Sequence, residues 1–100
     1  MEFKGIDLST KYIHPSTWNW LISMENDDDA PLNLSTYDEI YGRGYGMVVW
    51  TYSVDLDDER IPQDLGIILR AAINHEWRFV VIDGDGNDSD LFTSYEEEWR

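Results

Sequence analysis

The residues of this chain with the clearest capacity for chemistry are carboxylates, and they are gathered in short runs. The runs are Asp27 to Asp29, Asp55 to Glu59, Asp83 to Asp90 and Glu96 to Glu98. They lie between apolar segments, so we expect solvated loops and a solvated tail. Alternate carboxylates on an extended chain lie about 7 Å apart, and a DNA duplex presents one phosphate per ~3.4 Å of axis on each strand. A surface of such loops can imitate an array of phosphates.

The run from Asp83 to Asp90 also resembles part of a calcium-binding loop, because oxygen-bearing side chains occupy its first, third and fifth positions. The sixth position is Asp88 where an EF-hand has glycine, and the twelfth is Ser94 where it has a bidentate glutamate. The run also follows a predicted strand. A solvated turn is the favoured interpretation, and calcium binding stays open as an alternative.

Catalytic chemistry finds little support in the sequence. Cysteine is absent, and the only histidines, His14 and His75, lack the spacing that places two zinc ligands on one helix face. No G-x-S-x-G, P-loop or S-x-x-K motif occurs. Gly42 and Gly44 lack the third glycine of a dinucleotide fingerprint and precede a predicted strand, so they indicate a turn. We therefore predict a protein that is not an enzyme and has no metal or cofactor.

Charge restricts the class of partner. The chain has 21 Asp and Glu against 7 Lys and Arg, a formal net charge of -14. Such a field repels nucleic acid and anionic membranes and attracts basic surfaces. No secretory signal is visible, and no stretch reaches the ~20 apolar residues of a membrane span. We expect a cytoplasmic protein that binds a basic partner, and neither nucleic acid nor a membrane directly.

Segments with strand or helix periodicity separate the acidic runs. Strands are predicted at Lys4 to Ser9, Leu32 to Tyr37, Met47 to Tyr52 and Trp77 to Ile82. One helix is predicted over about residues 15–24, with Pro15 in its first turn, and Pro62 opens a second. The apolar stripe of the second helix consists of Leu65, Ile68, Leu69, Ala72 and Ile73.

The order β-α-β-β-α-β is typical of the ferredoxin-like, or split βαβ, fold. This predicts an α+β protein in which two helices cover one face of a single, mainly antiparallel sheet. The tail from Leu91 to Tyr95 could add an edge strand. One hundred residues suit a single core, so residues 1–100 are predicted to form a single domain.

Three segments together resemble a family of short domains of unknown function found on bacterial plasmids and integrative elements, often near antirestriction genes. They are Leu8 to Pro15, Gly46 to Trp50, and Ile61 to Leu65 continuing through Trp77 to Asp83. The resemblance implies no catalytic residue. In size, charge and lack of catalytic motifs, the chain is also similar in type to small acidic phage proteins that inhibit CRISPR effectors or restriction enzymes.

The leading functional hypothesis is a DNA mimic from a phage or mobile element that occupies the basic nucleic-acid channel of a bacterial defence complex. A CRISPR effector is placed first and a restriction enzyme second. The alternative is an antitoxin-like accessory protein that neutralises a basic toxin. The residues expected to bind the partner are Asp27, Asp28, Asp29, Asp55, Asp57, Asp58, Glu59, Asp83, Asp85, Asp88, Asp90, Tyr41 and Tyr45.

Among these runs, Asp55 to Glu59 is expected to matter most. It lies between the strongest predicted strand and the clearest predicted helix, so rigid elements hold it at both ends. Glu96 to Glu98 belong to a tail, where ordering on binding costs more entropy. Trp99 is a further candidate aromatic anchor.

Overall fold

A computed structural model of the chain describes residues 4–25, 27–36, 46–52, 54–84 and 86–99. Its helices and strands follow the predicted order, so the fold is α+β as expected. They are β1 (Gly5–Ser9), α1 (Pro15–Met24), β2 (Asn33–Thr36), β3 (Gly46–Trp50), α2 (Gln63–Asn74) and β4 (Phe79–Asp83), with short 3-10 helices at Thr10–Tyr12 and Glu96–Trp99.

The strands form one four-stranded mixed sheet in the order β1-β4-β3-β2. β3 pairs antiparallel with both β2 and β4, whereas β1 pairs parallel with β4. This arrangement is compatible with a small split βαβ fold. Gly5, Phe79, Trp50 and Asn33 lie side by side at one end of the sheet, called here the Trp50 end. Ser9, Asp83 and Gly46 mark the opposite Asp83 end.

Both helices pack on the same face of the sheet. Leu21 of α1 belongs to one buried cluster with every second residue of the strands and with four residues of α2, which are Leu65, Ile68, Leu69 and Ala72. A fully buried aliphatic side chain stabilises the fold by roughly 1.5–3 kcal/mol, so this layer is the main source of stability. The sheet residues of the cluster are Leu8, Met47, Val49, Val80 and Ile82. In the described part of the chain, neither helix has the length and apolar character needed to cross a membrane.

Several predicted details are wrong at the ends of elements. Ile73 is 42% exposed rather than buried, because it lies in the last turn of α2 beside an open groove at the end of the sheet. Asp83 is the last residue of β4 and pairs with Ser9 and Gly46. Trp77 and Arg78 precede β4 because they form the turn that ends α2.

The tail does not add an edge strand between Leu91 and Tyr95. It crosses the 3-10 helix after β1 instead, where the Tyr95 N–H donates to the Lys11 carbonyl at 2.6 Å. The Trp99 indole N–H then donates to the Ile13 carbonyl at 2.9 Å. The tail is thus held by contacts with residues 11–14, and the edge of β1 stays without a further strand partner among the described residues.

Asp64, in the first turn of α2, links the N-termini of the two helices. It is only 7% exposed. Its carboxylate accepts hydrogen bonds from the His14 N–H at 2.7 Å and from the Thr17 hydroxyl at 2.8 Å. A buried carboxylate with such donors is satisfied, and it also lies at the favourable end of the helix dipole. Asp64 is therefore a structural residue.

Candidate functional site

Two of the acidic runs meet at the Trp50 end of the sheet. The loop before β2 and the loop after β3 are joined by Arg60, whose Nη1 donates to the Asp29 carbonyl at 2.8 Å. The same guanidinium donates from Nε and Nη2 to the Asp58 carboxylate, at 3.1 and 2.8 Å. We call this region the paired-loop surface; it comprises Asp27, Asp28, Asp29, Asp55, Asp57, Asp58 and Glu59.

Hydrogen bonds between residues two apart in the sequence set the shape of both loops. The Asp27 carboxylate accepts from the Asp29 N–H at 2.9 Å, and the Asp55 carboxylate accepts from the Asp57 N–H at 3.0 Å. The Asp58 carboxylate accepts from the Arg60 N–H at 2.9 Å. Such turns restrict the backbone of a loop. These hydrogen bonds therefore restrain the backbone of both loops of the paired-loop surface.

The carboxylates of this surface are not equivalent. The side-chain and backbone hydrogen bonds from Arg60 lower the pKa of Asp58 to about 2, and only 21% of its side chain is exposed. Asp57 is 95% exposed, and its oxygen lies 3.8 Å from the Arg70 guanidinium. Asp27, Asp28, Asp29, Asp55 and Glu59 are also exposed. Asp58 thus maintains the loop, while its neighbours present their charge to solvent.

The remaining runs lie around Lys11 at the Asp83 end, a region we call the Lys11 surface. It comprises Asp88, Asp90 and Glu96 to Glu98, all of which are exposed. Lys11 forms an ion pair with Asp88 at 2.6 Å, and the hydrogen bond to Asp88 raises the pKa of Lys11. The His14 ring contacts the Glu98 carboxylate. Since a strand of five residues spans roughly 15 Å, the sheet keeps the two acidic surfaces apart.

Backbone contacts hold the described part of the loop after β4 against β1. The Gly86 N–H donates to the Asp83 carbonyl at 2.9 Å, and the Asn87 carbonyl accepts from the Ser9 N–H at 3.1 Å. A Cβ at Gly86 would clash with the Leu8 carbonyl, so this position requires glycine. Among the residues described, no three His, Cys, Asp or Glu side chains are grouped to hold a metal ion. Asp85, the third position of the calcium alternative, lies outside the described residues, so calcium binding by this loop stays a prediction.

The other predicted contact residues divide into two groups. Asp85, Tyr41 and Tyr45 lie outside the described residues. Asp83 is only 8% exposed and Trp99 is 37% exposed, and the Trp99 indole is bonded to the Ile13 carbonyl. Asp83 and Trp99 are thus partly engaged within the fold.

One unusual carboxylate did not emerge from sequence reasoning. Asp7 lies between Ile6 and Leu8, so it faces away from the helices, and its parallel neighbour in β4 is Val81. Burial, and then the negative charge of Asp83, raise the pKa of the Asp7 carboxyl. Its buried Oδ1 accepts no hydrogen bond from the described residues. Alternation in β1 predicts that Asp7 faces away from the core, but not that this face is partly covered.

Fold and surface together define a small α+β domain with acidic loops at both ends of a mixed sheet. Residues 5–97 match the model of a family of unknown function, the DUF5983 C-terminal domain. The chain therefore belongs to this family. No curated protein and no solved structure shows significant similarity to the chain.

Proposed function

We propose that this protein is a non-enzymatic binding protein that uses the paired-loop surface to contact a basic, nucleic-acid-binding partner. The observation that carries the proposal is the bridge from Arg60 to Asp29 and Asp58. It holds two acidic loops in one place before binding. Pre-organised charge loses less conformational entropy on association than charge that must be ordered when the partner binds.

The surface suits a partner that ordinarily holds phosphates. Its exposed carboxylates include Asp28, Asp55, Asp57 and Glu59. Lys and Arg side chains of a nucleic-acid channel contact the backbone with little reading of sequence. Carboxylates can take the place of phosphates there, and the net charge of -14 adds long-range attraction.

In its specific form, the proposal is a DNA mimic from a phage or mobile element that inhibits a bacterial defence complex in the host cytoplasm. A CRISPR effector is the first candidate and a restriction enzyme the second. The resemblance to domains encoded near antirestriction genes supports this class of partner. An antitoxin-like role against a basic toxin uses the same surface and remains the alternative.

A cleavage assay with matched variants tests the proposal. Wild-type protein is titrated into target-DNA cleavage by a purified CRISPR effector and, separately, by a restriction enzyme. The variant Asp57→Asn/Glu59→Gln alters the paired-loop surface, and Asp90→Asn/Glu97→Gln makes the same charge change on the Lys11 surface. All of these side chains are exposed, so circular dichroism should show an intact fold.

We expect wild-type protein to inhibit one of these enzymes. The paired-loop variant should raise the concentration for half-inhibition roughly tenfold, and the control variant less than about twofold. Equal losses of inhibition from the two variants would show that net charge alone determines inhibition. Failure of the wild-type protein to inhibit either enzyme would overturn the proposal of a defence inhibitor, and neutralisation of a basic toxin would then be tested.

A further inference from the structure

A groove of about 540 Å³ opens at the Trp50 end of the sheet, where β1 and β4 begin and β3 ends. Its lining includes Lys4, Tyr52, His75, Trp77 and Arg78. Arg78 and Lys4 lie next to each other, because the Arg78 N–H donates to the Lys4 carbonyl. The groove thus combines cations and aromatic rings, unlike the acidic loops.

The cations of the groove are an exception in this acidic protein. Elsewhere in the described chain, Lys11, Arg60 and Arg70 each lie beside an aspartate. Lys4 and Arg78 are exposed and form no ion pair with a described carboxylate. Within the part of the chain that the structure describes, no carboxylate offsets the charge of these two cations by an ion pair.

Two rings of the groove are stacked on each other. His75 and Trp77 stack with centroids 4.6 Å apart and planes 16° from parallel. Trp77 packs against the core and its carbonyl accepts from the Thr51 hydroxyl at 2.8 Å. His75 is exposed, and Tyr52, 56% exposed, also lines the groove. A flat ring from a ligand can extend this stack.

The turn that ends α2 maintains this stack. Glu76 has a positive φ of 61°, a position where glycine is favoured. The Trp77 N–H donates to the Ala72 carbonyl at 2.8 Å, and the Glu76 N–H donates to the Ile73 carbonyl at 3.1 Å. These bonds occupy carbonyls at the helix end, which would otherwise repel an anion. Glu76 itself lines the groove and lowers its affinity for anions.

We infer that this groove binds a nucleoside monophosphate, in which a ribose joins a phosphate group to a flat heteroaromatic base. Lys4 and Arg78 would bind the phosphate, and the ring would stack on His75 and Trp77. A basic peptide is disfavoured here because the two cations repel it. The inference is independent of the partner of the paired-loop surface.

Free nucleotides and the 5′-phosphorylated end of a nucleic acid share this chemistry. The net charge of -14 repels the additional phosphates of a longer strand. We therefore expect a free nucleotide to bind more tightly than an oligonucleotide. Comparing adenosine monophosphate with a short 5′-phosphorylated oligonucleotide distinguishes the two sources.

The test is an NMR titration of the isotopically labelled chain with adenosine monophosphate, adenosine and inorganic phosphate. We expect adenosine monophosphate, at up to about 10 mM, to shift the Trp77 indole and Arg78 amide signals. Adenosine and phosphate alone should bind more weakly, since adenosine contacts only the rings of the groove and phosphate only its cations. No shift with adenosine monophosphate, or equally strong binding of phosphate alone, would overturn the inference.

Variants locate the site. Arg78→Ala should weaken binding roughly tenfold, because a charge-assisted hydrogen bond is lost. Arg70→Ala removes the same charge from outside the groove and should change the affinity less than about twofold. Glu76→Gln should strengthen binding, and His75→Ala should weaken it. Equal effects of Arg78→Ala and Arg70→Ala would show attraction by charge alone and contradict a built site.

Discussion

The two acidic surfaces have similar composition but use their charge differently. On the paired-loop surface, one cation, Arg60, joins two loops and takes up the charge of Asp58, while neighbouring carboxylates stay exposed. On the Lys11 surface, Lys11 and His14 contact Asp88 and Glu98, and the tail is held against the fold. Counting carboxylates therefore does not reveal which of them are available to a partner; their contacts do.

The largest expected effect is a loss of stability on replacing Asp64, whose carboxylate binds His14 and Thr17 near the Lys11 surface. Asp64→Ala removes the acceptor of the His14 N–H and the Thr17 hydroxyl, and buried donors without partners are costly. We expect the free energy of unfolding to fall by about 3 kcal/mol. Urea denaturation measures it.

Asp28→Ala is the control, because Asp28 is exposed. Its effect should stay within about 0.5 kcal/mol. A loss for Asp64→Ala no larger than this control would show that the link between the helices contributes little to stability.

Salt should weaken binding to the partner, because it screens the exposed carboxylates of the paired-loop surface. Exposed charges are screened within about 10 Å at 0.1 M salt, so raising the salt from low to physiological concentration should weaken binding roughly tenfold. Asp57→Asn/Glu59→Gln should reduce this dependence, and Asp90→Asn/Glu97→Gln should not. Affinity that stays constant with salt would indicate apolar anchoring and count against phosphate mimicry.

A smaller effect is expected at Asp7, beside Asp83. Burial, and then the charge of Asp83, raise the pKa of Asp7 from 3.8, so folding stabilises the protonated form of Asp7 relative to its ionised form. Protonated Asp7 therefore contributes fully to the stability of the fold below pH 3.8, the pKa of this carboxyl in the unfolded chain. This contribution is lost as the pH rises through the raised pKa of the folded protein. Asp7→Asn should increase the melting temperature by a few degrees near neutral pH and have little effect in acid. A lower melting temperature near neutral pH would contradict this assignment.

The strands and helices could be predicted from the sequence because each produces its own local period. The stripe of α2 from Leu65 to Ala72 is an example, and only Ile73, beyond the sheet, departs from it. The bridge from Arg60 to Asp29 spans 31 residues, and the bond from His14 to Asp64 spans 50. No local period encodes such contacts. The acidic loops were therefore predictable as loops, but their division into two surfaces was not.

The central claim is that Arg60 organises the paired-loop surface for binding, and one comparison tests it directly. Arg60→Ala and Lys11→Ala each make the protein more negative by one charge, at opposite ends of the sheet. In the cleavage assay, we predict that Arg60→Ala raises the concentration for half-inhibition several-fold, although its greater negative charge should favour a basic partner. Lys11→Ala should inhibit as well as the wild-type protein or better. If Arg60→Ala also inhibits as well as the wild-type protein, net charge alone accounts for binding and the claim is wrong.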